Sequence, residues 1–394
     1  MTSALTYKLS PYHKENIIEI KKLKSKVMDV LERYSKEYLN FLDQIDQQMY
    51  CFLYESLEHW RNKLNNVNVN FKRFEEVKIV ECIAFWKGYL NAGGKLPPDP
   101  DGSEELYCVY HPSVEPRIKS SRTCVVVPVG NVDGIFGRLL RKLLASLVDC
   151  NYINQIYVGF DGFRPHNSLI DFLDKYDSVD FYCEERQSGP ATVRNDGIQY
   201  GLSEGFDNFL LLDSDVVVED RHLHTLIGQF LESEYPVACP RIFAHGIQWF
   251  DYYHDLNGSL NGRYLSINNL DQLLFGTTCC MLLDRSVFDH GLFFSNEFDK
   301  AAGEDISFCL SLLKRGFKIN AFDNIPIMHW YGYDENINLN IQNLQKRFER
   351  YGYGEVFVLK QHPDFYSLLD RSIERSSILS PFSTESPGDY NLSR

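Results

Sequence analysis

The sequence predicts an α/β protein: a mostly parallel β-sheet flanked by helices, with an α-helical appendage ahead of it. Three observations predict it. From Thr123 onward, short and continuously apolar runs alternate with helical stretches, the pattern of a parallel sheet covered on both faces. Ahead of it, no proline falls between Pro11 and Pro97, and apolar residues recur at helical steps. Between the two blocks, the stretch from Gly93 to Ser121 gathers Gly93, Gly94, Pro97, Pro98, Pro100, Gly102, Pro112 and Pro116, which reads as a connection. The expected divisions are a helical appendage over 1–95, a linker or wrapping loop over 96–121, an α/β domain over 122–335, a helical extension over 336–380 and a disordered tail over 381–394.

In the N-terminal block, Ile20, Leu23, Val27, Leu31, Tyr34, Tyr38, Leu42, Ile45, Met49 and Phe52 form one apolar stripe at steps of three and four. Two to four helices are expected. The first reading is a cap packed on the following domain, and the second is a homodimer through these helices. In the α/β block, Cys124 to Pro128 reads as a buried strand. Arg138 to Val148 reads as a helix with Leu139, Leu140, Leu143, Leu144 and Leu147 on one face. Strands follow at Ile153 to Phe160, Val179 to Cys183 and Phe209 to Leu212, separated by helices over Leu169 to Tyr176 and Thr192 to Ser203. The adjacent Cys279 and Cys280 read as buried free thiols.

Composition narrows the function classes. The 394 residues carry 40 Lys and Arg against 54 Asp and Glu, a formal charge of −14. A field of that sign repels phosphate polymers, so nucleic acid is not an expected partner. No run of about 18 apolar residues exists, so no transmembrane segment is expected. The first ten residues lack a signal-peptide core. Ten cysteines without paired spacing argue for a reducing, cytoplasmic setting. Peripheral attachment at the inner membrane face is the alternative.

The sharpest chemical signal is Asp213-Ser214-Asp215 at the end of an apolar strand. In parallel α/β sheets, ligands gather beyond the carboxyl ends of the strands. Two carboxylates two residues apart project to one side of an extended backbone and call for a counter-charge. A divalent cation with oxygen ligands supplies it, and the bland alternative is a solvated loop.

Five segments in order resemble the catalytic domain of family 2 glycosyltransferases with the GT-A, Rossmann-like fold. They are Val125-Val-Val-Pro128-Val129-Gly-Asn131, Asp161-Gly162, Gly189-Pro-Ala-Thr-Val-Arg194-Asn195, Leu211-Leu-Asp213-Ser214-Asp215, and Gly303-Glu304-Asp305 with its following helix to Gly316. The resemblance covers roughly residues 124–329. It implies transfer of a single sugar from a nucleotide sugar, UDP-linked in the first instance, to a carbohydrate, lipid-linked or small acceptor, with inversion. Pro128, Val129, Asn131, Asp161, Arg194, Asp213 and Ser214 are the implied nucleotide-sugar-binding residues, with Asp161 accepting from the base. Asp215 and Asp213 are implied ligands of Mn²⁺ or Mg²⁺, with His329 as a third. Arg194 steadies the pyrophosphate or pairs with the acids. Asp305 is the implied general base, and Glu304, also implied in catalysis, binds acceptor hydroxyls or supports Asp305. At a helix N-terminus, Asp305 is expected to stay ionised at neutral pH.

The departures also carry information. A single Asp161 ends the second strand, with Phe160 and Phe163 beside it as candidates to stack a base. The Q-x-x-R-W motif of processive synthases is absent. Trp249, Tyr252, Tyr253, His254 and Tyr264 are candidates for acceptor binding. A sugar-1-phosphate nucleotidyltransferase and a non-catalytic binding module are the competing functional classes.

Overall fold

The computed structural model describes residues 17–45, 47–64, 71–94, 119–120, 122–245, 273–298, 302–330, 337–365 and 368. The aromatic run from Trp249 to Tyr264, the tail over 381–394 and most of the stretch over 96–121 lie outside these.

The N-terminal block is helical: α1 (Ile17–Tyr34), a 3₁₀ helix (Lys36–Gln44), α2 (Gln47–Leu64) and α3 (Phe71–Asn91). From Ile20 to Met49 most of the apolar stripe is buried, with Tyr34 and Leu42 half-buried, but the helix breaks at Ser35 and Ile45 rather than running on. Helix α3 is buried on every side between Glu75 and Trp86. Its acids are satisfied from outside: Arg33 donates to Glu76 at 2.8 Å and Lys26 pairs with Glu75. The stripe that suggests a dimer is thus covered within the chain.

The α/β block contains β1 (Thr123–Val129), α4 (Ile135–Val148), β2 (Ile153–Phe160), α5 (Asn167–Leu173), β3 (Val179–Cys183), α6 (Pro190–Ser203), β4 (Asn208–Leu212), β5 (Val216–Val217), α7 (Asp220–Glu232), β6 (Val237–His245), β7 (Cys280–Asp284), α8 (Ser286–Asp289), α9 (Glu304–Lys314) and β8 (Ile319–Trp330). Helix α10 (Ile337–Gln361) follows. The strands form one sheet in the order β3-β2-β1-β4-β7-β6-β8-β5.

The sheet is mixed. Strands β1 to β4 are mutually parallel, as their apolar runs suggest, and β6 runs parallel to β8. However, β7 lies antiparallel between β4 and β6, and β5 lies antiparallel to β8. Strand β7 is buried along its whole length, so its sequence shows no alternation that would reveal its direction. The α/β class, with sheet, flanking helices and helical N-terminus, holds.

Alternate residues of β1 feed two cores. Cys124 and Val126 join a layer with α6, α9 and the end of α10, whereas Val125, Val127 and Val129 join a layer with α4, α5 and α7. Pro128 is tolerated because the β1–β4 pairing ends at Val126. Helix α6 approaches β1 closely: a Cβ on Gly197 would stand 2.5 Å from Val126. Helix α10 supplies Val358 to the sheet layer and Ile341 and Val356 to the N-terminal core, so it joins the two blocks.

Candidate active site

The carboxyl ends of β1, β2 and β4 open on one cleft of about 400 Å³, a size suited to a small ligand. Among the residues lining it are Pro128, Val129, Asn131, Asp161, Arg194, Asp213, Ser214, Asp215, Glu304, Asp305 and His329. The metal-binding, nucleotide-sugar-binding and catalytic residues implied by the five motifs and His329 therefore line one cavity.

Strand register builds the acidic centre. Beyond β4, Asp213 donates its N–H to the Cys279 carbonyl at 3.1 Å, and Val216 N–H returns to the Asp213 carbonyl at 3.1 Å. This tight turn starts β5, whose Val216 pairs with His329 of β8. Trp330 N–H then donates to the Asp215 carbonyl at 2.9 Å. The pairing brings His329 Nε2 to 3.0 Å from Asp215 Oδ1 and 3.7 Å from Asp213 Oδ2. Burial opposes charge on His329, but Asp215 and then Cys279 beside it hold the imidazole well above its ordinary range.

One ligand atom from each of Asp213, Asp215 and His329 lies within 4.8 Å of the other two. Two carboxylate oxygens and an imidazole nitrogen form a hard-to-borderline donor set that fits Mn²⁺, and with less nitrogen preference Mg²⁺. The side chains are only partly buried, so an ion could enter.

Arg194 is 3 % exposed and links the two acidic segments. Nη2 donates to Asp213 Oδ1 at 2.7 Å and Nη1 to Glu304 Oε1 at 2.9 Å. Both terminal nitrogens are committed, which supports the ion-pair reading of Arg194 over direct contact with a pyrophosphate. Glu304 is likewise occupied in holding Arg194.

Asp305 sits 8 % exposed at the first turn of α9. Here the expectation of a carboxylate ionised at neutral pH is corrected. Burial, and then the neighbouring Glu304 charge, push its carboxyl up to about 7. The Ile306 N–H that donates to Asp305 Oδ1 at 2.8 Å does not offset this. Desolvation outweighs the helix terminus because the group is enclosed.

Asp161 has a structural partner set. Its Oδ1 accepts from Ser188 N–H at 2.6 Å, and Gly189 N–H lies 3.2 Å from both its oxygens. This fixes the approach to α6, where Gly189 takes φ 87° as N-cap. Asn131 Oδ1 accepts from Asp133 N–H at 2.8 Å and shapes the turn before α4. Phe160 is fully buried, edge-on to Phe163 and Phe181, so it belongs to the core and is not a free stacking surface.

The cleft also takes Phe136, Gln187, Thr277, Thr278, Arg350 and Tyr351, which the motifs do not include. Thr277-Thr278 stand as a polar pair immediately before an apolar run, a readable signal. Arg350 and Tyr351 carry none, being on a helix beyond every motif.

The family model for Glycosyl transferase family 2 matches residues 124–292. Two Mycobacterium tuberculosis proteins, each named pre-mycofactocin glycosyltransferase, are 24 % identical over 266 residues, 65 % of this chain and 51 % of theirs. The chain thus spans about half the length of the curated relatives it matches. Similar solved structures include GalNAc-T7 with UDP, GalNAc and Mn²⁺ (TM-score 0.45, 15 % identity, 66 % of this chain and 52 % of that one). Another is S. aureus TarS 1-349 in complex with UDP (TM-score 0.42, 15 % identity, 57 % and 64 %). Residues 124–292, which carry most of the motifs and strand ends described above, are thus similar to the glycosyl transferase family 2 domain.

Proposed function

We propose that this protein is a metal-dependent glycosyltransferase that moves one sugar from a nucleotide donor, UDP-linked, to a carbohydrate or lipid-linked acceptor with inversion. The observation that carries the proposal is the meeting of Asp213, Asp215 and His329 with Asp305 around one cleft. The family match and the name of the curated relatives support it.

In this reading Asp213, Asp215 and His329 hold Mn²⁺ or Mg²⁺, and when bound the ion offers positive charge to the departing nucleoside diphosphate. The protein's own groups do the rest. Asp161, Asn131 and the Pro128-Val129 strand end border the nucleoside side of the cleft. Arg194 holds Asp213 and Glu304 in fixed positions, so the acidic centre is preorganised. Asp305 accepts the acceptor hydroxyl proton as that oxygen bonds to the anomeric carbon. The bond from that carbon to the diphosphate oxygen breaks, and its electron pair leaves with the nucleotide. A carboxylate near 7 is well matched to take a proton at neutral pH. Among the described residues no helix is long and apolar enough to cross a membrane. The sequence also lacks the Q-x-x-R-W motif of processive synthases, in keeping with single transfers.

The test is a donor screen. UDP-, GDP- and dTDP-sugars are incubated with the full chain, with and without Mn²⁺, and nucleoside diphosphate release is measured. UDP release that needs Mn²⁺ is expected. In Asp305→Asn it should fall by about 10²-fold or more, while UDP binding persists. Release unchanged in that variant contradicts the role of Asp305, and no release from any donor contradicts the transferase reading.

A further inference from the structure

Two cavities meet at one side chain. Arg350 of α10 lines the catalytic cleft and also a second groove of about 530 Å³. Gly88 and Asn91 of α3 form one wall of this groove, and Lys346, Glu349 and Tyr353 of α10 form the other with Arg350. No strand end contributes to it, so it is separate from the acidic centre.

The groove has a fixed frame. A Cβ on Gly88 would stand 1.8 Å from the Glu349 carbonyl oxygen, and one on Gly352 would stand 1.9 Å from that of Phe85. The two helices therefore cross in backbone contact. On the other side of α10, a Cβ on Gly354 would stand 2.0 Å from the Ala302 carbonyl oxygen. The same helix is thus held against the turn that presents Glu304 and Asp305.

Its charge runs against that of the molecule. The Glu349 carboxylate is taken by Lys87 at 3.1 Å and by the Tyr38 hydroxyl at 2.7 Å. Lys346 and Arg350 stand one helical turn apart, on one face. Among the described residues neither meets a carboxylate. Arg350 spends only its Nε–H, on the Lys346 carbonyl at 3.3 Å. Two uncompensated cations thus flank a groove in a chain of net charge −14.

We propose that the α3–α10 groove is the acceptor subsite, and that the acceptor bears an anionic group, phosphate or carboxylate, held by Lys346 and Arg350. This deepens the transferase reading and rests on it. The guanidinium fork suits either oxyanion, and because Arg350 lines both cavities an anion held there would stand at the border of the catalytic cleft. The N-terminal helices thereby gain a role in the reaction, because α3 forms half of the acceptor's seat.

Calorimetry on the full chain tests this with defined probes: glucose 6-phosphate, glucuronate and uncharged glucose, each with and without saturating UDP and Mn²⁺. Both anionic probes should bind about tenfold or more tightly than glucose, and the comparison between them tells phosphate from carboxylate. Lys346→Gln, whose side chain lies outside the cleft, should weaken that preference while UDP affinity moves less than about twofold, and adding Arg350→Gln should erase the preference. Asn91→Glu, on the opposite wall, should weaken the anionic probes and leave glucose unchanged. Equal binding of all three probes, or no binding at millimolar concentration, overturns the proposal. So does loss of UDP affinity on changing Arg350, which would place that residue on the donor. Failure of UDP itself to bind with Mn²⁺ would instead strike the transferase reading, because the probe arms without nucleotide still report on the groove.

Discussion

Arg194 connects β4's acidic end to the start of α9 through two short ion pairs. Removing it leaves two partly enclosed carboxylates facing each other. Arg194→Met should cost about 3 kcal/mol, because a broken buried pair leaves uncompensated charge. Urea unfolding measures this, and a loss under about 1 kcal/mol would show the pairs to be dispensable. Arg194→Lys keeps the charge but cannot fork to both acids, so an intermediate loss is expected. Asp305 makes a pH-dependent prediction of opposite kind. Its carboxyl is raised from 3.8 to about 7, so the folded state binds this proton more tightly than the unfolded chain. The resulting stabilisation is complete below 3.8 and is lost as pH rises through about 7. Asp305→Asn should then be more stable than the parent at pH 8 by roughly 1–3 kcal/mol, with the gap closing toward pH 5. Melting curves across this range check it. The turnover of the parent should fall on acidification below about pH 7, since the base must be unprotonated to act. Asp213, Asp215 and Asp305 are legible in the sequence because carboxylates at strand and helix ends form short local patterns. The raised carboxyl of Asp305 is not legible there, since enclosure by Glu304 and distant chain is a tertiary property.

At the scale of elements, two local devices build the site: the register of β5 on β8 and the docking of α10. The strands β1 to β4 can be read because each is a buried apolar run bounded by polar turns. Strand β5 cannot, as two residues give no periodicity, yet its pairing alone brings His329 to Asp215. Helix α10 can be placed from sequence only as a helical extension. Its glycines show their purpose once α3 and Ala302 lie against them. Gly352→Leu should cost about 3 kcal/mol or more by driving a side chain into the Phe85 carbonyl. Gly228 in α7 is the control, because a Cβ there would meet its nearest neighbour, Tyr152, at an ordinary 3.5 Å. Gly228→Ala should stabilise by about 0.5–1 kcal/mol through helix propensity. Equal effects at the two glycines, read by chemical denaturation, would show that helix docking is loose.

Across the whole molecule, the N-terminal helices and the sheet domain share α10. Ile341 and Val356 are buried with α1, α2 and α3, whereas Val358 is buried with the sheet layer. The apolar stripe over residues 20–49 is readable as helical from its spacing. What covers it is not, since the stripe packs on α2 and α3, and Ile341 and Val356 of α10, some 300 residues away, complete that core. A chain lacking residues 1–94 should therefore lose solubility or melt about 10 °C lower, exposing one face of α10 and loosening its hold on the Ala302 turn. A truncated chain with an unchanged melting point and unchanged UDP affinity would show the two blocks to be independent. The function proposed for the molecule stands on its metal-centred donor site. Manganese anomalous scattering from crystals grown with Mn²⁺ and UDP probes that site without intermediaries. A peak shared by Asp213, Asp215, His329 and the diphosphate is expected, with Asp305 facing the same cleft. Bound UDP with manganese elsewhere, or with none at these three side chains, would contradict it.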